Sequence, residues 1–509
     1  MKPGRSYLLL TVFISGMTTL AVELTASRLL APYFGDSNLV WANLIGLILI
    51  YLAAGYFLGG RLADRYPRPA GLYQIVAWAA FLVGLLPLAA RPLLARISGG
   101  LLETAQLAVL LGSFLGVLAL FALPVTLLGC ISPYAIRLAV QDVEGAGNVA
   151  GGVYALSTLG SILGTFLPVL VLVPAVGTRA TFFIFAGLLL LLALAGLFRA
   201  APRLALLYLL LPLLLVALIL LLPGGMVKAA AGLVYETEST YNYIQVVDWE
   251  RRYLLLNEGQ GLHSVYQPGQ VLTHGTWDYF LVAPFFNPPP HTADRVDSLC
   301  LIGLAAGTIS KAYSAIYGPI PIDGVEIDPE IIRVGREFFD MSEPNLNAVA
   351  ADGRAFLAHS DRRYDVIGID AYRLPYIPWH LTTVEFFREA RAHLTDEGVV
   401  VVNVGRTASD WRLVEAMVAT LGQVFPGVHV IAVPDTFNAI VVATVQPSQA
   451  GNLAANLPGL DHPLLIDVAR RAVDNLHPAE PGGLVFTDDK APVELLTNAV
   501  VLEYFLFGE

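Results

Sequence analysis

An α-helical membrane bundle followed by a doubly wound α/β unit is the architecture this sequence predicts. Three observations carry it. The chain is 56% hydrophobic and only 14% charged over 509 residues, whereas in a soluble domain roughly a quarter of the residues are charged. Its longest apolar runs crowd into the part before about residue 223. After residue 290, short apolar runs alternate with amphipathic stretches, the pattern of parallel strands joined by helices.

Seven runs in the first part are long enough to cross a bilayer, near residues 7–30, 38–60, 71–90, 105–128, 149–173, 179–198 and 203–222. A helix needs about 20 apolar residues to do so. The first run is too long for a signal-peptide core, and no small-x-small cleavage site follows it, so it reads as a retained span. Between Val125 and Val140 the pattern turns mixed ("GCISPYAIRLAV"). That marks either an interfacial helix end or part of a broken span; an eighth crossing, or a broken segment around 105–140, would make the span count even. Lys2, Arg5, Arg61, Arg65, Arg68, Arg137, Arg199 and Arg203 fall on one side of the spans, against Arg91, Arg96 and Arg179 on the other. This bias puts the N-terminus in the cytoplasm. Glu23 and Arg28 lie within or at the end of the first span. Ionisable groups there are functional candidates; the plainer account is a structural polar contact, or Arg28 reaching back to the interface.

Charges become regular from Glu236 onward. The expected division is 1–223 for the multi-span domain and 232–509 for the rest, with 232–290 a small β region and 291–509 the core. "YNYIQVVDWERRYLLLNEG" alternates around a polar turn and reads as a β-hairpin. Strands are expected at 298–303, 321–327, 364–369, 398–404, 428–433 and 438–445. Helices are expected at 308–316, 329–339, 382–394 and 409–424. Asp328-Pro329-Glu330 starts a helix well, with an N-cap acid and proline at the first position. Cys130 and Cys300 lack metal-ligand spacing and read as buried apolar residues, so no metal is expected. A net charge of -11 argues against nucleic acid as a partner.

In a doubly wound sheet, ligands bind at the carboxyl ends of the strands. "DSLCLIGLAAGT" (297–308) ends an apolar strand in the turn Gly303-Leu-Ala-Ala-Gly307. Glu326 closes the next strand, 19 residues after Gly307, where a carboxylate can accept from both ribose hydroxyls. Asp352-Gly353 follows a third strand and can meet an adenine edge, and Asp370 closes a fourth in "YDVIGIDAYR". Each alone has the ordinary reading of a solvated loop acid; at successive strand ends they mark a nucleoside site. The turn lacks the G-x-G-x-x-G of dinucleotide sites and no P-loop occurs. A nucleoside without phosphates fits better, and S-adenosyl sulfonium compounds are of that kind.

The order of these motifs resembles the spermidine synthase (polyamine aminopropyltransferase) family, in the form fused to a multi-span membrane domain. The matching pieces are "YNYIQV", "LLLNEGQG", "LCLIGLAAGT", "VEIDPEII", "ADGRAFL", "YDVIGIDAY", "IPWHLTTVEFF" and "FTDDKAPVE", with "ELTASRLLAPYFG" and "GGRLADRYPRP" in the membrane half. The last piece also looks like the short basic loop of major-facilitator transporters, or simply like positive-inside charge. The resemblance implies a Rossmann-like, methyltransferase-type sheet. It places Asn242 where the family has a ligand-binding Gln. Glu326 matches the ribose acid, Asp352 and Gly353 the adenine-side pair, and Asp370 the proton acceptor. Asp278 and Tyr372 are weaker candidates for the amine. The cosubstrate implied is decarboxylated S-adenosylmethionine, or S-adenosylmethionine, with no tightly bound cofactor. The partners implied are a small polyamine or other amine and the lipid bilayer, with homo-oligomerisation left open. Adenosyl cosubstrates are cytosolic, so the catalytic domain is expected on the cytoplasmic side.

The departures matter as much. The family turn is G-G-G-D-G, and its Asp holds the aminopropyl ammonium; here Ala306 stands there. A second acid three residues after the catalytic one is replaced by Arg373, and the Tyr of a Tyr-His-Glu segment by Thr276. The leading expectation is an aminopropyltransferase making spermidine and methylthioadenosine from putrescine. Two rivals stand beside it: a methyltransferase acting near the membrane, and a non-catalytic nucleoside-sensing membrane or transport protein.

Overall fold

In a computed structural model, the chain divides into two compact units, Met1–Ala229 and Ala230–Glu509. The structure describes all residues except 1–3, 36, 101–104, 223–229, 258–260, 374–375 and 508–509. Lys2, the domain boundary at 223 and the end of the "LLLNEGQG" piece therefore lie outside the described residues.

The first unit is helical throughout: α1 (Arg5–Phe34), α2 (Asn38–Arg65), α3 (Pro69–Gly100), α4 (Ala105–Ala139), α5 (Ala146–Leu167), α6 (Val173–Ala200), α7 (Pro202–Tyr208) and α8 (Leu210–Leu221). Six continuous helical stretches among the described residues are long and apolar enough to cross a membrane. The fifth, Ala146–Ala200, has 55 residues, roughly 80 Å at 1.5 Å per residue, too long for one crossing. It contains a π-turn at Pro168–Leu172 and a break at Gly177, whose φ of 81° is not helical. Glycine takes that conformation without steric cost. The break reverses the chain. Near the start of α1, Tyr7 donates to the Leu192 carbonyl and Arg199 lies over its ring, while Arg179 at the other end of α6 donates to Leu222. The same side-chain contacts fix the direction of the other helices. Tyr134 near the end of α4 donates to Tyr66, at the end of α2, and Phe34 and Leu94 meet Gly116. The described helices thus run seven times along the bundle, and Leu222 lies at the end opposite to Arg5. The mixed stretch after Val125 is the last part of the continuous helix α4 and not a broken span.

Packing in this unit follows rules for apolar surroundings. Hydroxyls of Thr11, Thr18, Thr19, Thr158, Thr165 and Thr181 donate to carbonyls four residues back, which satisfies them within their own helices. Gly160 and Gly164 of α5 lie against the backbone of Phe13 and Met17 of α1, where a Cβ would come within 2.0 Å of a carbonyl oxygen; small residues permit such approach. Glu23 and Arg28 are both half-buried on α1. Five residues apart, they point roughly 140° from one another around the helix and do not share a face.

The second unit begins with a four-stranded antiparallel sheet, β1 (Leu233–Glu238), β2 (Tyr243–Asp248), β3 (Arg252–Leu256) and β4 (Leu262–Tyr266), in sequential order. The expected hairpin is β2–β3, paired from Ile244↔Leu256 to Asp248↔Arg252. A 3-10 segment, Thr276–Phe286, leads into the core. There follow β5 (Leu299–Ile302), α9 (Thr308–Tyr317), β6 (Ile322–Glu326), α10 (Pro329–Phe338), β7 (Leu346–Ala350), α11 (Gly353–Ala358), β8 (Tyr364–Ile369), α12 (Val384–Ala392) and β9 (Leu394–Gly405). The chain ends with α13 (Arg412–Leu421), β10 (Gly427–Ala432), β11 (Asn438–Thr444), α14 (Gly451–Asn456), α15 (Pro463–Asp474), β12 (Leu476–His477) and α16 (Val493–Phe507).

The eight-stranded sheet has the order β12-β10-β11-β9-β8-β5-β6-β7. Strands β5 to β9 run parallel; β10 to β12 are antiparallel additions. Alternate residues of β5 serve opposite faces. Leu299 and Leu301 join a core with α9 and α15, while Cys300 and Ile302 join one with α11, α12 and α13. From β5 the chain winds outward through β6 and β7, then returns to place β8 on the other side. The strand order therefore reverses between β5 and β8, and the crevice outside their carboxyl ends is where such sheets take ligands.

Candidate active site

The turn after β5 lies at this reversal. Gly303 has φ 91°, and a Cβ there would sit 2.5 Å from the carbonyl of Asp370. Only glycine tolerates that conformation so close to the neighbouring strand end. Gly307, at φ 88°, is the N-cap of α9. Between them, Ala305 is left-handed at φ 47°, a conformation disfavoured for alanine. The turn is held from two sides: Ala305 N–H donates to Glu326 Oε2 at 3.0 Å, and Ala306 N–H to Ser264 Oγ at 2.9 Å. The side chain of Ala306 is buried among Leu254, Ile331, Val334 and Phe339.

Glu326 ends β6 and is buried. Its Oε1 accepts the Asp328 N–H at 3.2 Å. Burial pushes its carboxyl up to about 7, against the backbone N–H groups of Asp328 and Ala305, which favour the charged form. A carboxylate offers about four acceptor positions, so lone pairs remain for ribose hydroxyls. Asn242, expected to touch the ligand, donates to Asp328 Oδ2 at 2.9 Å and accepts from Asn257 at 3.0 Å. It braces Asp328, in the loop that follows Glu326.

Asp352 caps α11 through the Ala355 N–H at 2.9 Å, and its other oxygen lies 3.0 Å from His380 Nε2. Gly353 is pressed against Ile302, whose Cγ2 would be 2.2 Å from a Cβ. That contact keeps α11 tight against β5.

Asp370 follows β8, and its own N–H donates to the Ile302 carbonyl at 2.9 Å. Its carboxylate accepts from Trp277 Nε1 and from Asn403 Nδ2, both at 2.8 Å. Burial raises its carboxyl to about 6, partly offset by those two donors. Tyr372 donates to the Asn403 carbonyl at 3.1 Å, and burial holds its phenol far above the usual range.

The structure thus places Gly303, Glu326 and Asp370 at neighbouring strand ends of the parallel sheet, with Gly307, Asp352 and Gly353 at adjoining turns and helix starts. Asp278 is not among them. It is fully buried and accepts from the Thr273 N–H and hydroxyl, the His274 N–H and Arg471. That set fixes the turn before the 3-10 segment. Beside the acid expected as base, it is Trp277, not Thr276, whose side chain reaches the carboxylate. Sequence reading missed Trp277, Asn403 and Asn438. The alternation around "VVVVNVG", an Asn inside an otherwise apolar buried strand, was the available signal for Asn403.

The second unit is a Rossmann-like domain of the methyltransferase type with a β region ahead of it. Residues 319–453 match the spermine/spermidine synthase domain family. A probable polyamine aminopropyl transferase of Bifidobacterium longum is 33% identical over 285 residues, covering 52% of this chain and 62% of that protein. A polyamine aminopropyltransferase of Vibrio vulnificus is 30% identical over 176 residues, covering 33% of this chain and 56% of that protein. The eEF1A lysine and N-terminal methyltransferase of Homo sapiens is 27% identical over 165 residues, covering 30% of this chain and 23% of that protein. The chain therefore spans less than two thirds of the length of these relatives. The stretch that matches the spermine/spermidine synthase domain family lies within the C-terminal unit.

Proposed function

We propose that the C-terminal unit transfers an aminopropyl group from decarboxylated S-adenosylmethionine to a small polyamine or other amine such as putrescine. The observation that carries this is the placement of Asp370, a rigid carboxylate on the strand end beside the Gly303 turn, with Glu326 on the neighbouring side. Glu326 holds the ribose of the cosubstrate. Asp370 orients the amine and takes its proton while nitrogen attacks the carbon next to the sulfonium. The C–S bond breaks, its electron pair stays on sulfur, and methylthioadenosine leaves as a neutral thioether.

One observation favours a methyl-transfer variant of this chemistry. Ala306 gives the turn an apolar side chain turned into the β2–β3 cluster, with no carboxylate there to select a cosubstrate ending in ammonium. Titration with methylthioadenosine, S-adenosylmethionine and its decarboxylated form, followed by product analysis with putrescine, separates the two. Aminopropyl transfer predicts spermidine and preference for the decarboxylated form. Equal affinity without spermidine supports methyl transfer.

The helical unit is read as a multi-pass segment of the cell membrane, and cosubstrate supply assigns the catalytic unit to the cytoplasmic side. With seven crossings, Arg5 is then outside, although the arginines at its end of the bundle favour the reverse orientation. Impermeant thiol labelling of a cysteine introduced near residue 450 decides the point. Protection in intact cells is expected; labelling there would place the unit away from its cosubstrate and remove the enzymatic reading.

A further inference from the structure

Asp370 is held by a chain of side chains that crosses two strands. Its Oδ2 accepts from Trp277 Nε1 and its Oδ1 from Asn403 Nδ2, each at 2.8 Å. The amide of Asn403 on β9 is itself oriented, because Asn438 on β11 donates Nδ2 to Asn403 Oδ1 at 2.9 Å. Flipping that amide would set oxygen against carboxylate and nitrogen against nitrogen, losing both bonds. The two residues are near neighbours in the antiparallel ladder, where Asn403 pairs with Ile440 and Asn438 with Gly405. Tyr372 closes the chain by donating to the Asn403 carbonyl. Trp277 approaches from outside the sheet, on the 3-10 segment.

We infer that Trp277 and Asn403, the latter aligned by Asn438, are positioning residues that aim the half-buried Asp370 carboxylate and favour its charged form. The inference rests on the aminopropyl-transfer reading for its catalytic meaning, but the clamp is a physical claim of its own. An indole N–H donates and never accepts, and it carries no titratable proton in this range. It therefore favours the charged carboxylate at every working pH. The aligned Asn403 amide does the same from the other oxygen. Each leaves lone pairs on the carboxylate for an incoming amine. The titratable group that Asp370 acts on is Tyr372, which stays neutral and spends its proton on Asn403.

Trp277 makes the clamp readable without turnover. The fluorescence difference between the full-length protein in detergent and its Trp277→Phe variant, followed from pH 4.5 to 8, should show one transition near 6. It should vanish in Asp370→Asn and move upward by about half to one unit in Asn438→Ala, which frees the Asn403 amide. In product assays, Trp277→Phe and Asn438→Ala should shift the acid limb of turnover by a similar amount, with methylthioadenosine affinity unchanged. Asn438→Ser, which keeps a donor, should recover most of the shift. A transition that survives Asp370→Asn, or one unmoved in a folded Asn438→Ala protein, overturns the clamp even if spermidine is made. A transition that behaves as expected in a protein making no spermidine sustains the clamp and removes the aminopropyl reading.

Discussion

Carboxylates occupy both ends of the strands in the parallel sheet, but in different company. Toward the amino ends, Asp323 on β6 accepts from Arg362, Tyr364 and Asn347, and Asp365 on β8 from Ser298, Thr395 and the Asp297 N–H. At the carboxyl ends, Glu326 accepts from backbone N–H groups and Asp370 from an amide and an indole. A guanidinium compensates the buried Asp323 charge, whereas among the described residues the donors to Glu326 and Asp370 in these bonds are neutral dipoles. Burial accordingly raises the proton affinity of the second pair, to about 7 and about 6. Uncompensated buried charge is costly to keep. An edge that keeps it is suited to ligands that bring hydroxyl donors and a positive charge, while the other edge is finished as structure.

The contrast is sharpest at Asp370. Asparagine is nearly isosteric and caps loops about as well as Asp, but it cannot accept the amine's proton. Asp370→Asn should lower single-turnover rates by about 10²–10⁴-fold, the usual contribution of a positioned base, while methylthioadenosine still binds. Turnover within a few-fold of wild type would reduce Asp370 to a loop cap and erase the difference between the two edges.

Glu326→Ala comes next. Each charge-assisted bond to a ribose hydroxyl lost should cost about 1.5–3 kcal/mol, and calorimetry with methylthioadenosine reads it directly. Because Glu326 also accepts from Ala305 and Asp328, Glu326→Gln is the companion variant and should retain part of the affinity. Unchanged affinity in both variants would mean that the ribose is held elsewhere.

Acidity sharpens the comparison in a third way. Asp370 must be charged to act, so turnover should fall as pH drops through about 6, about tenfold per unit below it. Stability moves the other way. A carboxyl whose folded value lies above the ordinary value near 4 holds its proton more tightly in the folded chain. Its stabilising contribution is present below about 4 and is lost as pH rises through about 6. His263 and His429, pushed down to about 4 by burial, oppose this, because acid favours their unfolded forms. The melting-temperature difference between wild type and Asp370→Asn isolates the carboxylate and should narrow as pH falls from 7 to 5. A difference independent of pH would contradict the raised proton affinity.

Much of this contrast was legible in the sequence, and the reasons differ by element. The strands ending at Ile302, Glu326 and Ile369 were readable because buried parallel strands are continuous apolar runs closed by turn residues. β7 was harder: "LNAVA" is short, only partly buried and at the sheet edge. The acids at strand ends were readable from their positions alone. Their neighbours were not, since Trp277 and Asn403 are 93 and 33 residues from Asp370, and only the folded crossovers bring them together. In the helical unit, hydropathy marked the apolar runs, but the mixed stretch after Val125 left a helix end and a broken span both open, because side-chain polarity there says nothing of the continuous backbone of α4.

The smallest effect on function is expected at the structural edge, from Asp323→Asn. Asp323 is 3% exposed and sits 3.0 Å from Arg362, 2.9 Å from the Tyr364 hydroxyl and 2.7 Å from Asn347 Nδ2. The amide oxygen of the variant can still accept from one or two of these donors, but its NH₂ group meets another donor. The guanidinium of Arg362 is largely exposed and can turn to water at little cost, so most of the penalty falls on the buried Tyr364 hydroxyl and Asn347. A buried donor deprived of its partner costs about 1–3 kcal/mol, which should appear as a lower midpoint in urea with an unchanged slope. The site at the carboxyl ends lies beyond this contact, at the other end of the strands. Methylthioadenosine affinity and turnover should therefore remain within about twofold of wild type while stability falls. Loss of affinity in proportion to stability would mean that the two ends of the sheet are coupled, and that the Arg362–Asp323 pair belongs to the machinery of the site.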